Sequence, residues 1–320
     1  MHSFLHSKLL YNLDHNIKVK VNNNLSVLLA ISCGQDSLCL LKLFLDIQNI
    51  INIKLGIIHI DHQFRIDSNV NTQHMQNIIK LLNTPAYIYQ LKPQIYSELE
   101  FRNMRYEIYI KTASIYSYNL IATAHTATDK LETSLNNMFK GGNLDSLHSL
   151  VWKRKIYKKL DIIRPLLNFT RGEISWLCRY YSLPIWVDYT NLYYINKRNR
   201  IRHELIPYLK QYYQHNLDKQ MTIFLNKTYY DMEYLRQCTI KVYYYLRHPT
   251  YIAINYKLLL TQHLALQIRV LKLFFNYNLQ TKLNDTLLKK ILWNLENNTT
   301  TYIESYKLTL KIYKTWLYII

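Results

Sequence analysis

One stretch decides the fold: Leu25-Ser26-Val27-Leu28-Leu29-Ala30-Ile31, then Ser32-Cys33-Gly34-Gln35-Asp36-Ser37, then Leu38, Leu41 and Leu45 at helical spacing. The apolar run predicts a buried β-strand and the leucine spacing predicts a helix, so the residues between them form a turn. Backbone N–H groups at a helix N-terminus bind phosphate, because the helix dipole is positive there. The stretch therefore predicts an α/β fold with a nucleotide site in the turn.

The residue types in this turn suit a polyphosphate. Gly34 lets the main chain approach a ligand, Ser32 and Ser37 offer hydroxyl groups, and Asp36 can hold Mg²⁺ against phosphate oxygens. Neither G-x-x-x-x-G-K-[ST] nor G-x-G-x-x-G occurs, which excludes a Walker loop and a dinucleotide fingerprint. The spacing alone also leaves open an ordinary turn of an α/β protein.

The charge balance predicts a polyanionic partner. Lys and Arg number 40 against 21 Asp and Glu in 320 residues, which gives a net charge of +19 and a pI near 9.5. RNA, DNA and an anionic membrane surface would each satisfy that charge. Because no apolar run approaches the roughly 18 residues that a bilayer requires, we expect a soluble protein without a membrane partner.

The cysteines indicate a reducing compartment. Cys33, Cys39, Cys178 and Cys238 form no C-x-x-C pair and show no metal-ligand spacing with the 12 His residues. In a chain of this length, these features disfavour a disulfide framework and a structural zinc or iron–sulfur site.

Residue usage indicates an A+T-rich genome, either organellar or bacterial. Tyr is abundant at 30 residues, whereas Gly and Pro number only 5 and 6. The first six residues lack the Arg- and Ser-rich character of a transit peptide and the apolar core of a signal peptide. If the protein works in an organelle, we therefore expect it to be made there.

Strand-type and helix-type patterns alternate along the first part of the chain. The strand-type runs are residues 25–31, 53–60, 86–91 and 119–124, and the helical patterns include 70–82 and 101–116. This alternation predicts a parallel sheet with helices on both faces and ligands at the carboxyl ends of the strands. His59 and His125 lie near the ends of the second and fourth runs, so they are expected to line one nucleotide pocket. Each histidine could instead simply end its strand.

The second part of the chain has a different pattern. Helical periodicity dominates from about residue 173 onward, as in Leu264, Ile268, Leu271 and Phe275, and predicts an α-rich region. Residues 152–159 are rich in Lys and Arg, and we expect them to be a basic connector between the sheet domain and the helices. Residues 300–320 alternate as in a β-hairpin.

Further motifs follow the turn in a fixed order. They are His59-Ile60-Asp61-His62-Gln63-Phe64-Arg65; Glu100-Phe101-Arg102-Asn103-Met104-Arg105-Tyr106; Ala122-Thr123-Ala124-His125 through Asp129, Glu132, Thr133 and Lys140-Gly141; Ile163-Arg164-Pro165-Leu166-Leu167; and Asp188 and Asn191 with Arg198-Asn199-Arg200-Ile201-Arg202-His203-Glu204-Leu205-Ile206-Pro207. Together with the turn, they resemble the tRNA(Ile)-lysidine synthetases of the PP-loop ATP pyrophosphatase group. The resemblance covers roughly residues 25–209, and Arg198-Asn199-Arg200-Ile201-Arg202 is its most specific element. Cys33 stands where the family loop has Gly.

The resemblance implies a PP-loop fold and a two-step reaction that uses ATP and Mg²⁺. ATP would adenylate the 2-carbonyl oxygen of the wobble cytidine in a CAU anticodon and release pyrophosphate. The amine of free L-lysine would then displace AMP and give lysidine, which reads AUA. Lysine must lose a proton before it attacks, and a nearby carboxylate or His125 could receive that proton.

The resemblance also implies roles for individual residues. Asp129 could share the metal or orient lysine, and Glu132, three residues further along the helix, could attract the lysine ammonium group. The expected catalytic residues are Asp36, Arg105, Asp129 and Glu132. The expected nucleotide contacts are Ser32, Cys33, Gly34, Gln35, Asp36, Ser37, His59 and His125, and the expected metal ligands are Asp36 and Asp129. An acid-rich helix start is the alternative explanation for Asp129 and Glu132.

Arginines are the expected contacts to tRNA. Arg102 and Arg105 lie three residues apart on one helical face, and the alternating Arg198, Arg200 and Arg202 predict a fork of guanidinium groups for phosphate oxygens. The expected nucleic-acid-binding set is Arg102, Arg164, Arg198, Arg200 and Arg202. Without the resemblance, these arginines would be ordinary solvated side chains.

We therefore predict a catalytic PP-loop domain over residues 1–209 and a mainly helical tRNA-binding region over residues 210–320. The expected partners are tRNA(Ile) with a CAU anticodon and free L-lysine, and a homodimer is compatible with the sequence. The expected location is the plastid stroma, with a bacterial cytoplasm as the alternative. A tRNA thiolase would share the adenylation step but usually requires paired cysteines, and a non-catalytic RNA-binding protein with a degenerate loop is the rival from another class.

Overall fold

The structure is a computed structural model that describes residues 3–19, 25–48, 50–61, 63, 68–92, 97–157, 159–186, 197–281, 283–297, 299, 301–303 and 308–319. The chain forms two compact units, Met1–Leu225 and Asn226–Ile320. The sequence-based division after residue 209 lies upstream of this boundary and stays a prediction. Among the described residues, no helix is both long and apolar enough to cross a membrane.

The first unit is built on a six-stranded sheet with the strand order β3-β2-β1-β4-β6-β5. Its strands are β1 (Leu25–Ala30), β2 (Ile53–Asp61), β3 (Ala86–Gln90), β4 (Leu120–Thr123), β5 (Lys153–Tyr157) and β6 (Leu160–Ile163). All neighbouring pairs are parallel except β5 and β6. The predicted parallel sheet is confirmed, and each of the four predicted strands is present within one or two residues of its expected ends.

Helices cover both faces of this sheet, as predicted. The helices of the chain up to residue 246 are α1 (Phe4–Tyr11), α2 (Gln35–Gln48), α3 (Ser68–Lys80), α4 (Glu98–Ile115), α5 (Ala127–Phe139), α6 (Leu144–Leu147), α7 (Arg171–Tyr180), α8 (Lys197–Arg200), α9 (Ile206–Tyr212) and α10 (Leu217–Leu246), with π-helical turns at Asn12–Asn16 and Ile201–Leu205. The boundary between the two units falls within α10. Successive residues of β1 point to opposite faces. Val27 and Leu29 pack with α1, α2 and α7, whereas Leu28 packs with Ala113 of α4.

The expected basic connector at residues 152–159 is wrong. Residues 153–157 of that segment form β5, which pairs antiparallel with β6 at the edge of the sheet. Lys153, Arg154 and Lys155 are exposed on this strand. Charged side chains on an edge strand prevent pairing with other chains, so the same basic composition that suggests a linker also suits a sheet edge. Lys158 lies outside the described residues.

The second unit is mainly helical with a small sheet. Its elements after α10 are β7 (Ala253–Asn255), α11 (Tyr256–Leu260), α12 (Leu264–Leu279), α13 (Asp285–Glu296), β8 (Thr301–Ile303), β9 (Leu308–Tyr313) and β10 (Trp316–Ile319). The sheet has the order β7-β10-β9-β8, and β9 pairs antiparallel with both β8 and β10. The predicted α-rich region is confirmed.

Local capping fixes where helices begin at the carboxyl edge of the larger sheet. Thr126 caps α5 directly after β4: its hydroxyl accepts a hydrogen bond from the Asp129 N–H, while the Asp129 side chain accepts from the Thr126 N–H. Gly141 has φ +71°, a conformation suited to the residue just after a helix end. The start and end of α5 are thus set by its own sequence, which positions Asp129 and Glu132 beside the turn after β1.

Candidate active site

The turn between β1 and α2 forms the floor of the candidate site. Ser37 Oγ accepts a hydrogen bond from the Ser32 N–H at 3.2 Å and donates one to the Gly34 carbonyl oxygen at 2.8 Å. The backbone N–H of Trp186 donates to the Cys33 carbonyl oxygen at 3.0 Å and links the turn to a segment that is distant in sequence. These bonds fix the turn at the N-terminus of α2, and a helix N-terminus is a position suited to phosphate groups.

Cys33, rather than Gly34, is the left-handed residue of this turn. Its φ is +62°, a conformation that costs a non-glycine residue roughly 1 kcal/mol. Its side chain is buried, with Sγ 3.2 Å from Sδ of Met75. Burial raises the pKa of the Cys33 thiol to about 12, so the thiol stays protonated. Any contact of Cys33 with a nucleotide is therefore through its backbone.

A cavity of about 490 Å³ opens above the turn. It is lined by Ala30, Ile31, Ser32, Gly34, Gln35, Asp36, Ser37, Arg102, Arg105, Tyr106, Tyr109, Thr123, Ala124, His125, Arg171, Ile185, Trp186, Arg198 and Arg202. Five of these residues are arginines and one, Asp36, is an acid. The cavity is therefore suited to a highly anionic ligand.

Asp36 is the carboxylate that faces the cavity. Burial and the negative charges of Asp129 and Glu132 raise its pKa to about 6, whereas Arg171 and Arg202 act in the opposite direction. Within the described residues, no hydrogen bond or ion pair engages its side chain. Mg²⁺ bound together with phosphates usually takes one or two carboxylates, so the position and chemistry of Asp36 fit this ion.

Asp129 and Glu132 form a buried ionic cluster with Arg198 and Arg202. Asp129 Oδ1 accepts from Arg198 Nη2 at 3.1 Å and from Arg202 Nη2 at 3.0 Å. Glu132 is fully buried, and its oxygens accept from Arg198 Nε at 3.0 Å and Arg202 Nε at 2.5 Å. Burial tends to raise the pKa of Asp129, but the two arginines and the Thr126 N–H hold it below its ordinary value.

The contacts in this cluster affect two roles predicted for Asp129, namely binding a metal ion and orienting lysine. Both oxygens of Asp129 are engaged, because Oδ2 accepts from Thr126 and Oδ1 from the two arginines. Asp129 could bind a metal or lysine only by giving up some of these bonds. No group of three or more His, Cys, Asp or Glu side chains converges in the part of the chain that the structure describes.

The two predicted histidines differ in their environments. His125 lines the cavity, and its Nδ1 lies 2.9 Å from Thr123 Oγ1. Burial, reinforced by nearby arginines, lowers the pKa of His125 to about 3, so its imidazole is neutral. His59 is not among the residues that line the cavity: it is buried on β2, and its Nδ1 donates to the Ile31 carbonyl oxygen at 2.9 Å. This bond supports the chain where β1 leads into the turn, and the expected nucleotide contact of His59 stays a prediction.

Comparison with known proteins decides the family. The PP-loop domain family matches residues 5–209. The chain is 42% identical to the chloroplastic tRNA(Ile)-lysidine synthase of Gracilaria tenuistipitata var. liui, over 99% of both chains. The chain belongs to the tRNA(Ile)-lysidine synthase family. It is also 37% identical to the chloroplastic enzyme of Pyropia yezoensis, over 99% of this chain and 96% of that one.

Solved structures agree with the fold of this tRNA(Ile)-lysidine synthase family member. The U34-tRNA thiolase NcsA from Methanococcus maripaludis superposes with a TM-score of 0.58, covering 72% of this chain and 79% of that chain. The two sequences are only 16% identical, so this likeness shows the shared fold alone.

The family arginines divide into cavity residues and a structural residue. Arg102 and Arg105 of α4 both line the cavity, and Arg105 Nε is buried without a hydrogen-bond partner among the described residues. Arg164 is only 2% exposed, and its Nη1 donates to the Val151 carbonyl oxygen at 2.8 Å. The Arg164 guanidinium is enclosed by protein in this structure, and its expected tRNA contact stays a prediction.

The structure does not bring Arg198, Arg200 and Arg202 together as one fork, and their expected tRNA contacts stay predictions. These residues lie on α8 and the π-helical turn that follows, not on an extended strand. Residues four apart on a helix share a face, whereas a residue two positions away points elsewhere. Arg198 and Arg202 therefore meet the acidic pair, and Arg200 is 64% exposed and pairs with Glu204.

The sequence analysis missed several residues of the candidate site. Tyr106 and Tyr109 follow Arg102 and Arg105 at helical spacing on α4, so periodicity could have found them. Arg171 and Trp186 carry no local signal, because they reach the cavity only through tertiary packing. The family motif residues His62, Phe64, Arg65, Asp188 and Asn191 lie outside the described residues.

Proposed function

We propose that this protein uses ATP to attach free L-lysine to the 2-position of the wobble cytidine in tRNA(Ile) with a CAU anticodon. The product, lysidine, changes decoding from AUG to AUA. The observation that carries the proposal is the alignment of 99% of the chain with relatives named tRNA(Ile)-lysidine synthase. The motif residues that meet in one cavity supply the chemistry that such a reaction needs.

The adenylation step uses the turn after β1. The cytidine O2 atom bonds to the α-phosphorus of ATP, and the bond to the β-bridging oxygen breaks, so pyrophosphate leaves with the electron pair. Backbone N–H groups at the start of α2 donate to its phosphate oxygens, and cavity arginines offset its charge. Asp36 would hold Mg²⁺, which supplies further neutralisation of phosphate charge when bound.

The ligation step requires a neutral lysine amine. The amine nitrogen bonds to C2 of the cytidine, AMP leaves with the electrons of the C2–O bond, and the nitrogen releases a proton. His125 is a poor acceptor for that proton, because its pKa is lowered to about 3. A carboxylate is the alternative acceptor, and Asp36 is the candidate that lines the cavity. Asp129 and Glu132 are engaged by Arg198 and Arg202, so they would attract the lysine ammonium group only by giving up some of those hydrogen bonds.

The partners and location follow from the relatives and the charge. A net charge of +19 favours association with tRNA through its phosphates. The relatives from Gracilaria and Pyropia are named chloroplastic, so we place the protein in a plastid and, more finely, in the stroma. Cyanobacterial relatives are compatible with a bacterial cytoplasm as the alternative. A homodimer stays a prediction.

The test is direct detection of the modified base. Purified protein is incubated with ATP, labelled lysine and CAU-anticodon tRNA(Ile), and the RNA is then digested to nucleosides. We expect labelled lysidine and stoichiometric pyrophosphate, and we expect Asp36→Ala to abolish incorporation while the affinity for tRNA is almost unchanged. A non-catalytic RNA-binding protein would bind the tRNA without releasing pyrophosphate. Retained incorporation in Asp36→Ala would show that the metal and phosphates are held elsewhere.

A further inference from the structure

Arg171 stands at the same end of the cavity as the turn after β1. It is the first residue of α7, and its side chain is exposed and lines the cavity together with Gly34, Gln35 and Asp36. The positive charges of Arg171 and Arg202 both oppose the rise in the pKa of the Asp36 carboxyl that burial and Asp129 cause. The guanidinium group therefore lies within electrostatic reach of the carboxylate end of the phosphate turn.

The charge of Arg171 is not committed to another protein group. Arg198 and Arg202 are bound by Asp129 and Glu132, and the Arg102 guanidinium lies 5.8 Å from the centre of the Tyr106 ring. Within the described ranges, the Arg171 guanidinium makes no hydrogen bond or salt bridge. Arg171 is the first residue of α7. An exposed guanidinium group is suited to bind phosphate oxygens through two parallel N–H groups.

The backbone that carries Arg171 is firmly anchored. The Thr170 N–H donates to Glu173 Oε2 at 2.7 Å, which caps α7, and Lys8 Nζ donates to Glu173 Oε1 at 2.7 Å. Phe169, two residues before Arg171, is fully buried. A fixed backbone with a free side chain lets the guanidinium follow a ligand over a short distance without rearrangement of the fold.

We infer that Arg171 binds the β- and γ-phosphates of ATP and stabilises pyrophosphate as it leaves, an inference that rests on the proposed function. When the bond between the α-phosphorus and the β-bridging oxygen breaks, negative charge accumulates on the departing group. A guanidinium that donates to this group binds the transition state more tightly than it binds ATP. Arg171 would then be a catalytic residue that acts mainly on kcat.

The chain offers a matched control for this test. Arg179 lies on the same helix, is exposed and does not line the cavity, so Arg179→Gln removes the same charge from α7. Initial rates of pyrophosphate release are measured with saturating tRNA and lysine for Arg171→Gln, Arg171→Lys and Arg179→Gln. Inhibition of the forward reaction by added pyrophosphate is measured for each variant, and thermal denaturation verifies folding.

We expect Arg171→Gln to lower kcat/KM for ATP by about ten- to a hundredfold, as loss of a charge-assisted hydrogen bond to a leaving group predicts. Inhibition by pyrophosphate should weaken by about tenfold, since the same group binds the product. Arg171→Lys should recover part of both effects, and Arg179→Gln should differ from wild type by less than about twofold.

Two outcomes would overturn the inference, and they are distinguishable. If wild-type protein forms lysidine but Arg171→Gln and Arg179→Gln have equal rates and equal pyrophosphate inhibition, Arg171 does not contact the triphosphate and the proposed function stands. If wild-type protein releases no pyrophosphate with tRNA, the proposed function fails and the inference fails with it. If Arg171→Gln does not fold, Arg171→Lys is compared with wild type instead. Inhibition of Arg171→Lys by pyrophosphate that equals the inhibition of wild type would then contradict the inference.

Discussion

The Asp36 carboxyl is half-buried in the cavity wall near two other acids, Asp129 and Glu132, and burial together with their negative charges raises its pKa to about 6. The folded chain therefore binds the Asp36 proton more tightly than the unfolded chain does. For an acid with a raised folded pKa, stability is present at low pH and falls as pH rises through the range between the unfolded and folded values. The negative charge of Asp36, which would hold Mg²⁺, therefore destabilises the ligand-free protein.

We predict that Asp36→Asn stabilises the ligand-free protein while abolishing lysidine formation. The gain in free energy of unfolding should be up to about 3 kcal/mol near pH 7.5 and shrink to about half of that near pH 5, because the wild-type carboxyl becomes protonated. Chemical denaturation at the two pH values measures it. A gain that is the same at both pH values would contradict the assigned pKa.

At the scale of elements, the segment after residue 197 shows how helical geometry sorts charges. Arg198 and Arg202 are four residues apart and meet Asp129 and Glu132, which are three apart on α5. Arg200 lies between them in sequence but pairs with Glu204 at the surface. The family motif of three alternating arginines therefore contains two inward residues and one outward residue, with different roles.

We predict that Arg202→Met destabilises the protein and that Arg200→Met does not. Loss of Arg202 leaves the fully buried Glu132 with one cation, which should cost about 2 to 3 kcal/mol of unfolding free energy. The exposed pair of Arg200 and Glu204 should be worth less than about 0.5 kcal/mol. Denaturant titration of both variants measures the difference. Equal stabilities would mean that the buried cluster does not hold α8 to α5.

At the scale of the whole molecule, the excess of cations governs association with RNA. Lys and Arg exceed Asp and Glu by 40 to 21, and exposed tyrosines such as Tyr230, Tyr234 and Tyr245 accompany them in the described part of α10. Phosphate contacts are independent of sequence, whereas stacking on aromatic rings acts on unpaired bases. The charge should therefore determine the strength of tRNA binding more than the choice of tRNA.

We predict that the affinity for tRNA falls by at least about a hundredfold when salt is raised from about 50 to 200 mM, as several phosphate contacts require. A methionine tRNA should show nearly the same slope of log affinity against log salt, because released counterions do not report sequence. Fluorescence titration over a salt series measures both slopes. A slope near zero for tRNA(Ile) would contradict an electrostatic mode of binding.

How well the sequence predicted each feature depends on how far apart in sequence the interacting residues lie. The strand at residues 25–30 depends on apolar residues that are near neighbours in sequence, and its end was predicted within one residue. A helix was expected after the turn at residues 32–37, and α2 is present but begins at Gln35, within that stretch. Strands β5 and β6 were missed: β5 is a short, mainly basic run that does not differ from a linker until it pairs, and β6 has only four residues. The motifs placed Arg164 and His59 in the site, whereas the structure buries both side chains and gives each a hydrogen bond to a backbone carbonyl oxygen.

The sequence by itself determined the PP-loop fold, the family and the turn that faces the nucleotide cavity, because each depends on patterns along contiguous residues. Only the tertiary structure decided which charges remain free. Arg198 and Arg202 are neutralised by acids about seventy residues away, whereas Arg171 is left open to the cavity. Pairing between distant residues is set by the packing of α5, α7 and α8 on the sheet, and no local pattern encodes it.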